Sequence, residues 1–190
     1  MSQDQSQDKT RLQDQSSSPS PDRTQDQDRI YEENVTRYFA QVQDRQQDLL
    51  RDPSLSTDQQ NYDLALYSLS IAGNVTGSES PDLTRLYQEI AQTTPILDQA
   101  QRQIHDRDPL SRTLFGGDAQ AAQTLLQTTS QNQDRIREME QLLQNCTTCD
   151  SQVRLQLEEQ LQVLSQNQTR LRELALQEQN NKGWLGWLFR

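Results

Sequence analysis

The chain has 190 residues, enough for one domain with tails, but only 31% are hydrophobic and 5% aromatic, which excludes a thick single core and leaves thin helical layers. A formal net charge of −10, with no clustered basic run to meet phosphates, argues against a nucleic-acid partner. The opening residues carry no apolar signal core, and no apolar run reaches the roughly 18 residues of a membrane span. The expectation is a cytoplasmic protein, peripheral to a membrane at most, or extracellular if a leader was removed.

Residues 1–28 hold Leu12 as their only sizeable apolar side chain before the pattern changes. Nothing there offsets the entropy of ordering the backbone, so an acidic, Gln-rich, disordered tail is expected. From Ile30 onward, Tyr31, Val35, Tyr38, Val42 and Leu49 recur at steps that make one helical stripe, ended by Asp52-Pro53. A second helix from about Asp58 places Tyr62, Leu66 and Leu69 on one face, with Gly73 and Gly77 as stop signals. A third begins near Pro81 and turns Leu83, Tyr87, Ile90, Leu97 and Ile104 inward. Pro95 either kinks it or restarts it. Residues 29–108 thus form a three-helix segment, and 109–118 read as a connector ending in Asp118, a candidate N-cap.

Residues 119–180 carry the clearest pattern in the chain. Ala122, Leu125, Thr129, Asn132, Ile136, Met139 and Leu143 follow a heptad spacing, and so do Val153, Leu157, Leu161, Leu164, Gln168, Leu171 and Ala175. A reversal at Thr147-Thr148 pairs the two stripes as an antiparallel coiled-coil hairpin, each partner's number adding to a near-constant sum. Asn132 then meets Leu164, and Thr129 meets Gln168, a polar layer that fixes the register. With no strand-like alternation anywhere, the chain is expected to be all-α: an N-terminal helical bundle, a long antiparallel hairpin and a disordered N-terminal tail.

Both cysteines, Cys146 and Cys149, fall at the tip of this hairpin. Their spacing admits an intrachain disulfide or thiol pair pinning the turn, intermolecular disulfides, or two thiolates of a tetrahedral Zn²⁺ shared between two chains. The Cys-x-x-Cys and its helical flanks resemble the zinc hook at the coiled-coil apex of SMC-like DNA-repair ATPases, which implies that last arrangement. Thr147-Thr148 stand where the hook pattern has a Pro, Cys149 lacks the following Gly, and the ATPase motifs are absent. Apart from this shared zinc, no cofactor is expected. A catalytic redox pair is disfavoured because the βαβ setting of thioredoxin-like sites is missing.

The tail, residues 181–190, is the one strongly apolar patch outside the stripes. Trp184, Leu185, Trp187, Leu188 and Phe189 suit a weak interfacial membrane foot, a docking peptide for a protein partner, or a fold-back against the bundle base. Asn-x-Thr sequons occur at Asn34, Asn74, Asn145 and Asn167, of which Asn74 lies in a predicted loop and is the candidate glycosylation site. The single histidine, His105, is expected on a solvated face, with no nucleophile, phosphate loop or metal motif near it. Neither a catalytic residue nor a small-molecule substrate is indicated. The expectation is a non-enzymatic assembly or adaptor protein, presenting coiled-coil surfaces to itself or a partner. The alternative is a secreted or envelope-surface structural glycoprotein with a disulfide-stapled hairpin.

Overall fold

A computed structural model describes residues 21–77 and 80–184, whose regular structure is entirely helical with no strand among them. Six helices follow one another: α1 (Pro21–Leu50), α2 (Thr57–Ser70), α3 (Ser80–His105), α4 (Pro109–Phe115), α5 (Ala119–Asn145) and α6 (Ser151–Asn180). A single 3₁₀ turn, Ala72–Asn74, lies between α2 and α3.

Local chemistry sets most of the helix ends. Ser56 and Gln59 form a capping box at α2. Asp108, Asp118 and Asp150 each accept backbone N–H groups at the starts of α4, α5 and α6, satisfying donors that have no partner within a helix. Pro95 does not restart α3, which is continuous through it. Its ring lies on the exposed side, and the hydroxyl of Thr93 donates to the Ile90 carbonyl one turn back.

Two expected boundaries are corrected. The helix α1 starts at Pro21, so 21–28 are helical rather than part of a disordered tail; residues 1–20 lie outside the described residues. No apolar stripe marks these first turns, which continue the helix anchored from Tyr31 onward and carry an Asp26–Arg29 pair at i, i+3. Second, the expected connector 109–118 contains α4, a helix that buries none of its side chains.

The hairpin of α5 and α6 forms as the heptads predict, every seam residue named above being buried. The N-terminal helices join it rather than standing apart. One apolar cluster draws Tyr38 and Val42 from α1, Ala65 and Leu69 from α2, and Leu86 and Ile90 from α3 against Ile136, Met139, Leu157 and Leu161 of the hairpin. A second, smaller cluster packs Leu97, Ala100 and Ile104 of α3 on Ala122, Leu125 and Leu171. Thus α3, α5 and α6 run the length of the molecule, while α1 and α2 thicken only the half that carries the hairpin tip.

Candidate interaction surfaces

Between the two apolar clusters lies a polar layer contributed by three helices. Asn132 Nδ2 donates to Thr93 Oγ1 at 2.8 Å and to Gln168 Oε1 at 3.3 Å. Its Oδ1 accepts from Arg135 at 2.9 Å, and Arg135 also reaches Glu89 at 2.8 Å. Gln168 and Asn132 are fully buried. Thr129 does not take the role the spacing assigned to it, because its hydroxyl turns back to the Leu125 carbonyl of its own helix at 2.7 Å. The amide that meets Gln168 is Asn132. Outside the layer, Arg85 ties Glu89 on α3 to Glu138 on α5, and Arg135 and Arg85 together hold the Glu89 carboxyl below the usual range.

The hairpin tip is closed twice. Cys146 and Cys149 are joined as a disulfide, with 5.5 Å between their Cα atoms. The two sulfurs face the Thr76 carbonyl at 3.7 and 3.9 Å. Cys146 is buried and Cys149 half-buried beneath the turn. Tyr31 of α1 supplies the second closure. Its hydroxyl accepts from the Asp150 N–H at 2.7 Å and sits 3.2 Å from the Thr148 carbonyl and 3.3 Å from that of Val75. Gly77 lies under the turn with a positive φ of 56°, where a Cβ would come within 2.8 Å of Thr148 Oγ1. Asn74 is exposed at the end of the 3₁₀ turn, whereas Thr76 of the same sequon is buried and donates to the Ala72 carbonyl.

The opposite end is latched by polar contacts. Glu178, near the end of α6 and only 5% exposed, accepts from the Asp118 N–H at 2.8 Å and pairs with Arg112 of α4. Arg112 also donates to the Ile104 carbonyl. Beyond α6 the chain folds back along α4: Gly117 N–H donates to the Asn181 carbonyl at 2.7 Å, and Trp184 N–H to that of Thr113 at 2.8 Å. Gly116 makes this approach sterically open. Its φ is 86°, and a Cβ there would collide with the Asn181 carbonyl. Trp184 itself is 79% exposed; Leu185, Trp187, Leu188 and Phe189 lie outside the described residues.

A groove of about 700 Å³ runs between the start of α2 and the α3–α6 face below it, lined among others by Tyr62, Asp63, Thr94, Asp98 and Arg170. Tyr62 and Thr94 hydroxyls lie 3.1 Å apart, and Arg170 pairs with Asp58. Burial pushes the Asp63 carboxyl up, opposed by Arg45 and reinforced by Asp98. The groove offers hydrogen-bonding groups along helix faces and brings no nucleophile against a base. His105 is the exposed last residue of α3.

Apolar periodicity marks neither α4 nor the Tyr31 clasp, although punctuation residues for α4 are present. The signals present were Asp108-Pro109 and Gly116, a cap, a first-turn proline and a stop spaced for one short helix. These features define an all-α protein built on a three-helix rod, with chemically distinct ends. Neither protein-family models, curated proteins nor solved structures provide a match for the chain, and no helix among the described residues is long and apolar enough to cross a membrane.

Proposed function

We propose that this is a non-enzymatic assembly or adaptor protein, a helical spacer that presents coiled-coil surfaces to itself or a partner and makes contact through its C-terminal end. The observation that carries this is the difference between the two ends of the rod. One is closed by the Cys146–Cys149 staple and Tyr31, with Ile30 and Leu155 exposed singly near it, while the other gathers exposed Leu110, Leu114, Phe115 and Trp184 on one short helix and the chain beside it. Along its sides the rod offers Gln-rich faces suited to hydrogen-bonded contact. A partner protein or a second copy would dock there, while Trp184 and the residues after it touch a partner or give weak peripheral hold on a membrane.

Native mass spectrometry of protein purified without reductant or chelator, repeated with each added, tests this. The expected result is an oligomer or partner complex that survives chelator, each chain lacking two hydrogens for its disulfide. A monomer at every concentration that retains no partner would sink the proposal. A dimer with one metal ion per two chains, dissociated by chelator, would move the assembly site to the cysteine tip.

One observation favours a second reading, that of a secreted or envelope-surface structural glycoprotein. Disulfides persist in oxidising compartments and are rare in the cytosol, and this tip holds one. Glycan mass at the exposed Asn74 in natively expressed protein separates the two readings.

A further inference from the structure

We propose that the outer face of α4, carrying Leu110 and Leu114, together with Phe115 exposed at the helix end and Trp184 beside it, is a bilayer-contact surface. This deepens the adaptor reading, and rests on it, by naming what the C-terminal end touches. A helix on a water-soluble protein normally turns its apolar side inward and its polar side out. The helix α4 is inverted. Its half-buried residues are Ser111 and Arg112, whereas Leu110 is 73%, Leu114 36% and Phe115 53% exposed.

The inversion is enforced by the latch. Arg112 is drawn inward by Glu178 and the Ile104 carbonyl, and the Gly117–Asn181 and Thr113–Trp184 backbone bonds fix the helix from the tail side. Rotating the leucines inward would break these contacts. Exposed apolar side chains gathered at one end, with exposed Trp184 held beside α4 by its N–H bond to the Thr113 carbonyl, mark an interaction site rather than scattered surface residues.

Charge and size identify the occupant. Among the described residues around this end, Arg102, Arg107, Arg112 and Lys182 are balanced by Asp106, Asp108, Asp118 and Glu178, in a chain that carries −10 overall. A neutral end on an acidic protein meets a zwitterionic bilayer without repulsion and offers no surplus charge to a strongly charged protein partner. Tryptophan favours the headgroup layer. Four apolar side chains also fall far short of the roughly 20–30 residues a side of a stable protein interface, whereas weak, reversible attachment to a bilayer requires only shallow apolar insertion.

Flotation of the full chain with phosphatidylcholine vesicles, and with vesicles containing phosphatidylserine, tests the proposal. The wild type is expected to float with phosphatidylcholine and less with phosphatidylserine. The variant L110S/L114S/F115S should partition on the order of tenfold less, with unchanged circular dichroism because these side chains support no core. As a positional readout independent of that variant, Leu114→Trp in a W184F/W187F background should shift its emission to the blue when phosphatidylcholine vesicles are added. Undiminished flotation of the triple variant, or an unmoved Trp emission at position 114, would overturn the proposal. So would a vesicle-free dimer that the triple variant converts to monomer, which would make the face a contact between copies. These outcomes are separate from the adaptor reading, whose test uses no vesicles.

Discussion

Asn132 and Gln168 meet through their amides at 3.3 Å in a layer where neither is accessible to water, although the heptad count sets Asn132 level with Leu164. The offset follows from helix geometry. Every Cα–Cβ bond leans toward its own helix N-terminus, and in an antiparallel pair the two lean toward each other's level. Asn132 drops toward Gln168 as Gln168 rises toward Asn132. Each amide therefore spans about half the gap, and Thr129, too short to do so, bonds its own backbone.

This layer interrupts an otherwise apolar seam, so its removal should depend on how completely it is removed. Asn132→Ala leaves Gln168 Oε1 and Thr93 without that donor in a buried site and should cost about 1–3 kcal/mol. Replacing both amides, Asn132→Leu with Gln168→Leu, should recover most of that loss, because no orphaned acceptor is left on α6. Urea unfolding of the three proteins decides it. A double variant as damaged as the sum of its single changes would mean that packing, not polar pairing, sets the cost.

The seam itself gives a sharper contrast. Leu164 is fully buried within the larger apolar cluster, and Glu159, five residues earlier on α6, is exposed. Leu164→Asp should cost more than about 4 kcal/mol by placing a carboxylate where nothing can pair with it. Glu159→Ala should stay within about 0.5 kcal/mol. Circular-dichroism melts of both would refute the register if their losses were equal.

The hairpin was legible because its two stripes are narrow, regular and mutually consistent: Ile136 and Leu161 could be matched before either was seen in a core. The helix α4 was hidden for the opposite reason. Leu110, Leu114 and Phe115 form no stripe that a core would claim, and their helix is held by Arg112 and by backbone groups that leave no hydrophobic signature. Tyr31 was read as one apolar position of α1, yet its hydroxyl binds a turn far along the chain. Sequence periodicity reports which side chains leave water; it does not report which polar atom meets which backbone group. The disulfide is one of several arrangements compatible with the Cys146–Cys149 spacing, and spacing alone does not report that both sulfurs lie against the Thr76 carbonyl.

Reducing the tip should loosen it locally and leave the rod intact. The closed loop is short, so chain entropy assigns the bond only about 2 kcal/mol. Hydrogen exchange should quicken at Asp150 and around Val75–Gly77 on reduction, and Tyr31→Phe should produce the same quickening at Asp150 with the disulfide intact, because that N–H loses its acceptor. Exchange that spreads at once through α5 and α6 would show instead that the tip controls global stability.

Two carboxylates should respond to pH with opposite signs. Glu89 has its folded value lowered, first by the hydrogen bond from Arg135 and then by that from Arg85. It therefore adds stability above the ordinary carboxylate range, and this is lost as pH falls through that range and below. Because the side chain is 36% exposed, solvent screening keeps the contribution of its ion pairs under about 1 kcal/mol. Asp63 has its folded value raised, chiefly by burial, with Asp98 adding to the rise and Arg45 opposing it. Its ionised form is the costly one, so a penalty sets in as pH rises through the ordinary carboxylate range toward the raised folded value. Glu89→Gln should accordingly melt lower than wild type at neutral pH, and Asp63→Asn higher. Both differences should vanish in acid, where the native carboxyls are protonated. Melting curves taken across that range test the assignment, and an Asp63→Asn variant less stable than wild type at neutral pH would show that Arg45 outweighs burial at this site.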